Sequence, residues 1–470
     1  MSTPILRPYQ EDAITRVRAA FREARRVLLV MPTGAGKTVC FAYVTHGAMR
    51  RGNRVLILAH RQELVDQISS ALKSFDVDHG FIAAGYYERP RAMVQVGSTA
   101  SVVRRLQRTV PPDLIVIDEA HHTTRKNTLG QILSAFPKAR VLGVTATPVR
   151  LSGEGLGEVF ERMVIGPTTQ ELMDLGALCP VRVYAPPGID TSSLHMRAGD
   201  FAVAELIAAA DKPKITGDAV DHYTRLARGR LGVAFCVSID HAQHVAAQFT
   251  DAGYVAVRID GAMDHMERRR IVAAFRERKI DVITSCDLIS EGFDLPAIEC
   301  GISLRPTASA GLWLQQVGRC LRTADGKSDA IILDHAGNTL RHGLPTEPRE
   351  WTLDGRERRS KRAASDGAVS VRVCSTCFAA SPSGVTVCRS CGHPFPLQAR
   401  KVDRVDGELQ EITSARIFTP EQRAARQEQG RATDMRKLIE LGTMRGYKDP
   451  AAWARHIIDA RMAKQSRRAG

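Results

Sequence analysis

At 470 residues the chain is too long for one ordinary domain and long enough for about three. Its 44% apolar and 25% charged residues are those of a soluble globular protein, and it holds no apolar run long enough to span a bilayer. The formal charge is +15 and uneven: residues 346–470 carry 24 basic against 15 acidic side chains, so the C-terminal stretch suggests a polyanionic partner or a well-solvated surface. The first twenty residues lack the basic-then-apolar layout of a secretory signal, and six cysteines are scattered in apolar settings, which predicts an intracellular chain with reduced core thiols.

Five apolar runs, RVLLVM (26–31), RVLILA (54–59), MVQVG (93–97), DLIVID (113–118) and RVLGVT (140–145), alternate with amphipathic stretches such as RQELVDQISSALKSF. Near-continuous apolar runs are strands covered on both faces, so this alternation predicts a parallel sheet between helices. The Pro- and Gly-bearing segment 172–193 reads as a connection between domains. A second series follows, at 232–238, 255–260, 281–286, 300–304 and 329–334, and predicts a second α/β domain of the same type. Residues 347–367 are charged and poor in apolar side chains, the composition of a linker or solvated arm. From about Thr419 the pattern is helical and basic, and Tyr447 and Trp453 are expected to form the small core of a helix–turn–helix tail.

MPTGAGKT (31–38) stands where the first strand passes into a helical run. A Gly-rich turn at a helix N-terminus offers backbone N–H groups to phosphate; Lys37 can reach the β and γ phosphates and Thr38 can hold Mg²⁺. Met31 occupies the place of the usual first glycine, leaving Gly34 and Gly36 to make the turn. LIVIDEAHH (114–122) is a buried strand ending in Asp118, about 80 residues on, where P-loop ATPases place the acid that coordinates Mg²⁺. Glu119 would then polarise the attacking water. A zinc hydrolase would need H-E-x-x-H on one helix face, which DEAHH does not offer. The segment 373–395 has the form C-x₂-C-x₁₀-C-x₂-C, and two such pairs (Cys374, Cys377, Cys388 and Cys391) can close a tetrahedron around structural Zn²⁺; paired disulfides are the alternative.

With these motifs in their order, residues 5–337 resemble the superfamily 2 helicases and translocases. ILRPYQ (5–10) is similar to the Q-motif, LAHRQELVDQ (58–67) to motif Ia, VGSTAS (96–101) to Ib, DEAH (118–121) to II and TATP (145–148) to III. FCVSIDHA (235–242) resembles motif IV, ITSCDLISEGFDLP (283–296) motif V and QQVGRCLR (315–322) motif VI. The resemblance implies two tandem RecA-like parallel-sheet domains, 1–178 and 179–345, with ATP between them. It implies Arg7 and Gln10 near the adenine, Thr33, Gly34, Gly36, Lys37 and Thr38 around the phosphates, and Asp294 at the ribose. It further implies Gln315 near the γ-phosphate, Arg319 and Arg322 as arginine fingers, and His121, Thr145 and Thr147 as couplers. Strand contacts map by resemblance to His60, Arg61, Thr99, Ser238 and Thr284, for which capping or surface polarity is the bland alternative.

The four-Cys segment followed by a GYK-turn-Trp hairpin is similar to RadD-like bacterial and phage helicases, with a linker at 346–370, a zinc ribbon at 371–397 and a basic helical tail at 398–470. Cys320 stands where many relatives have Gly or Ala in motif VI. The resemblance implies a cytoplasmic, bacterial or phage-encoded DNA helicase or translocase in repair, recombination or replication restart. Single-stranded or forked DNA is the expected partner, with single-stranded-DNA-binding or repair proteins beside it. A restriction-system motor, a duplex translocase that separates no strands and a zinc-bearing recruiter with a switch-like ATPase are the alternatives, and RNA stays open as substrate.

Overall fold

A near-continuous apolar run needs cover on both faces, and the ten runs read from the sequence all lie in strands of two parallel sheets. The computed structural model describes residues 5–60, 62–150, 153–185, 196–197, 200–201, 213–261, 263–286, 295, 298–354, 371–382 and 385–395 of a unit spanning 1–397, and 428, 432, 434–447 and 449–458 of a unit spanning 398–470.

The first sheet contains β1 (Arg26–Val30), β2 (Val55–Ala59), β3 (Gly80–Ile82), β4 (Val94–Ser98), β5 (Leu114–Ile117), β6 (Arg140–Thr145) and β7 (Arg162–Ile165), in the order β3-β4-β2-β5-β6-β1-β7. Alternate residues of each strand face opposite layers. Val27 and Leu29 join a core with α1 (Pro8–Glu23), α2 (Lys37–Met49) and α3 (Gln62–Ser74), whereas Leu28 and Val30 join one with α4 (Thr99–Arg104) and α5 (Thr128–Ala135). The short α6 (Thr169–Asp174) follows, closed by a capping box in which Glu171 Oε2 accepts from Thr168 N at 2.7 Å.

The connection read at 172–193 is more than a linker. Within it β8 (Val181–Tyr184) is the edge strand of the second sheet, paired in parallel with the last strand of that sheet. Three prolines around it hid its apolar alternation. Next come a two-stranded antiparallel hairpin, β9 (Met196–Arg197) with β10 (Asp200–Phe201), and α7 (Pro213–Leu226). The remaining strands are β11 (Gly232–Phe235), β12 (Ala256–Ile259), β13 (Val282–Ser285), β14 (Cys300–Ser303) and β15 (Ala330–Asp334), giving the order β12-β13-β11-β14-β15-β8. Helices α8 (Ile239–Asp251), α9 (His265–Arg276), α10 (Ala310–Cys320) and α11 (Asn338–His342) complete the domain.

The start of the segment read as a solvated linker, 346–354, is instead a strap that returns to the first domain. Gly157 N donates to Leu353 O at 2.8 Å, and Trp351 and Leu353 pack on the core beneath β5 and α5. Its two apolar side chains were hidden among charges. The call for 355–370 lies outside the described residues.

A small antiparallel ribbon, β16 (Val371–Val373) with β17 (Ala380–Pro382), adds to the free edge of the second sheet: Ala185 N donates to Phe378 O at 3.0 Å, and Tyr184 pairs with Ala379. In the second unit, α12 (Met435–Met444) is capped by Asp434, whose Oδ1 accepts from Lys437 N at 2.9 Å, and residues 450–458 are helical. Trp453 packs with Leu438, Leu441 and Ala454, while Tyr447 leans on it at a ring separation of 5.0 Å but stays 43% exposed, so Tyr447 borders that core rather than filling it.

Candidate active site and metal centre

Ligands of open parallel sheets bind beyond the carboxyl ends of the strands. Here the ends of β1 and β5 carry the two motifs singled out in the sequence, and a cavity of about 510 Å³ opens over them. Gly34 and Gly36 have φ of +88° and +81°, which turn the chain into the N-terminus of α2. Met31 has no such requirement: its N–H extends the strand ladder to Thr145 O at 3.0 Å and its side chain is buried, so the position needs no glycine. Gln10 clasps the turn from α1, with Nε2 donating to Ala35 O at 3.2 Å and Oε1 accepting from Arg7 N at 3.0 Å. Lys37 Nζ donates to Met31 O at 3.4 Å.

Asp118 and Glu119 sit side by side. Burial and the neighbouring Glu119 raise the Asp118 carboxyl to about 7. Burial also works against ionised Glu119, but the charges of Lys37, His121, Arg319 and His60 outweigh it and hold Glu119 below the usual glutamate range. Glu119 has φ +48°, a left-handed backbone that a non-glycine residue adopts at a cost of about 1–3 kcal/mol, which aims its side chain into the cavity. Its Oε2 is buried and accepts no hydrogen bond among the described residues.

The second domain faces this site. Gln315, Arg319 and Arg322, from α10 and its end, line the same cavity as Arg7, Gln10, Thr33, Gly34, Gly36, Lys37, Thr38, Asp118 and Glu119. The approach is tight at Gly318, where an added Cβ would come within 2.6 Å of Thr33 Cβ. Behind the cavity, His121 Nδ1 lies 3.0 Å from Thr145 Oγ1 and 3.4 Å from Glu119 Oε2. Thr145 Oγ1 donates to Thr147 O at 2.9 Å, so its proton is used and His121 Nδ1 is the donor toward it. Nε2 of the same ring lies 3.5 Å from Gln315 Nε2, linking the two domains through one imidazole. Sequence reasoning missed Tyr9, whose hydroxyl donates to Ala35 O at 3.2 Å, and Gln67 and Thr323, which line the cavity; Tyr9 had only its place beside Gln10 as a signal.

The expected strand contacts divide. Ser238 is an N-cap, its Oγ accepting from His241 N at 3.0 Å. Thr284 is corrected: it is fully buried, its hydroxyl donating to Ala242 O at 2.7 Å, so it ties β13 to α8 and cannot face a strand. Thr99 is buried in the first turn of α4, and the ring of His60 packs on that of His122. Arg61 and Asp294 lie outside the described residues. Cys320 packs against the bare Cα of Gly301 in β14, where a Cβ would meet its sulfur at 2.8 Å; burial pushes its thiol up to about 12.

The sulfurs of Cys374, Cys377, Cys388 and Cys391 lie within 4.8 Å of one another, with the 374–391 and 377–388 pairs each at 3.6 Å. A disulfide needs about 2.05 Å. A Zn²⁺ tetrahedron with bonds of about 2.3 Å has edges of about 3.8 Å, so the four thiols fit zinc and leave no ligand position open.

Comparison with known proteins agrees with this geometry. Residues 3–150 match the family model described as type III restriction enzyme, res subunit, and residues 215–324 match the helicase conserved C-terminal domain. A "51.5 kDa protein" of Lactococcus phage (isolate 7-9) is 34% identical over 83% of both chains. The "Putative ATP-dependent helicase IRC3" of Saccharomyces cerevisiae is 30% identical over 72% of this chain but only 52% of its own length. The fold is similar to the solved fragment of "a putative HsdR subunit of a type I restriction enzyme" from Vibrio vulnificus YJ016, with TM-score 0.57 and 22% identity over 76% of this chain and 68% of that one. With two parallel-sheet domains sharing one P-loop cavity, this chain belongs to the superfamily 2 helicases of DEAD/DEAH type and is an ATPase of that family.

Proposed function

We propose that the chain is an ATP-driven DNA motor of the RadD-like kind, a helicase or translocase serving repair, recombination or replication restart. The supporting observation is the cavity lined by Lys37, Asp118 and Glu119 from one sheet and by Gln315, Arg319 and Arg322 from the other. A site split between two domains ties hydrolysis to their relative motion, as a motor requires.

In this reading the amides and side chains of residues 33–38 bind the phosphates of ATP, and Arg7 and Gln10 hold the base with Asp294 at the ribose. Glu119 orients the attacking water and takes its proton; Gln315 stands near the γ-phosphate, and Arg319 and Arg322 neutralise the charge that develops there. The oxygen donors Thr38 and Asp118 suit Mg²⁺, which when bound supplies further charge neutralisation on the phosphates. The raised Asp118 carboxyl fits this role, since a buried acid beside another acid ionises readily only against a cation. His121, Thr145 and Thr147 couple the two halves of the site.

Residues 1–178 and 179–345 are then the motor domains. The ribbon at 371–397, closed by Zn²⁺ on its four cysteines, and the basic tail at 398–470 hold DNA or a single-stranded-DNA-binding protein. The restriction-subunit family model over residues 3–150 favours a second reading, a motor subunit of a restriction-type system that moves on duplex DNA.

ATP hydrolysis with single-stranded DNA, duplex DNA, a forked duplex and single-stranded RNA separates these readings. Greatest stimulation by single-stranded or forked DNA is expected. Stimulation by duplex alone selects the restriction-type reading, by RNA alone replaces DNA as substrate, and by none overturns the motor.

A further inference from the structure

The parallel pairing of β2 with β5 sets Leu58 opposite Ile117, so His60 and Glu119 each stand two residues past a matched pair at the same end of neighbouring strands. Between them lies an unbroken row of imidazoles. The ring of His60 is 4.6 Å from that of His122, and the ring of His122 is 4.1 Å from that of His121, with tilts of 43° and 41°. His121 then touches Glu119, Thr145 and, across the domain boundary, Gln315. The row is anchored at its middle: Asn127 Nδ2 donates to His122 O at 2.6 Å while Asn127 Oδ1 caps α5 by accepting from Gly130 N at 3.1 Å. His60 stands between two elements, since β2 ends at Ala59 and α3 begins at Gln62.

We propose that His60 and His122 are positioning residues that relay strand binding at the β2–α3 connection to Glu119 through His121. This rests on the motor reading. Flat rings in van der Waals contact pass a tilt from one to the next, and the left-handed backbone of Glu119 leaves its carboxylate dependent on such lateral support. His60 then serves the strand at one remove, with its ring turned inward on His122 rather than spent on a phosphate.

The test uses the full chain with His60→Leu and His122→Leu, which keep bulk and remove the ring, the double variant, and His60→Phe, which restores a ring. Turnover is measured with and without single-stranded DNA, and affinity by anisotropy of a labelled oligonucleotide. Each leucine variant is expected to lower the ratio of stimulated to basal kcat about fivefold, the scale of coupling along a packed network, with DNA affinity within about twofold. The double variant should lose no more than either single, and His60→Phe should recover most of the ratio. Additive losses, an unchanged ratio, or a loss of DNA affinity in step with the ratio overturns the relay. A wild type that no nucleic acid stimulates overturns the motor reading itself, and the relay with it.

Discussion

Lys37 and the carboxylate pair carry the most direct consequences. Lys37→Ala removes the only lysine among the described residues that line the cavity and should abolish measurable turnover together with tight nucleotide binding. Glu119→Gln should abolish turnover, a loss on the order of 10³-fold, while keeping ATP binding. Turnover and nucleotide titration on the two proteins separate the roles. Asp118 gives a pH dependence. Its folded value of about 7 lies above the ordinary aspartate value of 3.8, so the folded protein holds a proton that the unfolded chain releases between them. Stability of the nucleotide-free protein should fall as pH rises through that window. Affinity for Mg²⁺-nucleotide should rise over its upper part, because the cation displaces the proton. Calorimetric titrations at pH 6.5 in two buffers of different ionisation heat should show proton release, and Asp118→Asn should remove the part due to this group.

Two elements beyond the motor sheets can be tested separately. The strap at 346–354 binds the first domain through Trp351 and Leu353 after leaving the second. Trp351→Ala should destabilise the protein by about 2 kcal/mol, less than a fully buried tryptophan because the side chain is only partly covered, as read by urea unfolding. The ribbon depends on its four sulfurs more than on its core, which is small and shared with Tyr184 and Tyr223. Cys374→Ser should release zinc and expose the ribbon to protease while the P-loop domain keeps nucleotide binding. Elemental analysis of the wild type is expected to find one zinc per chain.

Across the whole molecule, activity depends on how closely α10 approaches the P-loop. Gly318 allows that approach, and Gly318→Ala would set a methyl 2.6 Å from Thr33 Cβ. The two halves of the site must then part, which predicts a fall in kcat on the order of 100-fold with nucleotide affinity changed far less. The measurement is kcat against Kd. An equal loss of both would mean that the P-loop itself had been disturbed.

The motor was legible because its motifs are local. A phosphate-binding turn needs Gly34, Gly36 and Lys37 within a few residues, a buried strand shows as an apolar run, and two Cys pairs announce a four-thiol cluster by spacing alone. Strand β8 was not legible, since an edge strand of four residues between prolines lacks the period that marks a longer one. Nor was the strap, because two apolar side chains among charges look solvated until a surface to cover is known. Thr284 fell on the wrong side for a related reason: position in a motif does not say whether a hydroxyl meets solvent or the carbonyl of Ala242. Local spacing could specify the chemistry on offer. Which of those groups meet, above all His121 with Gln315 and His60 with His122, depends on the register of parallel strands and the docking of two domains, and these are set by contacts between residues far apart in the chain.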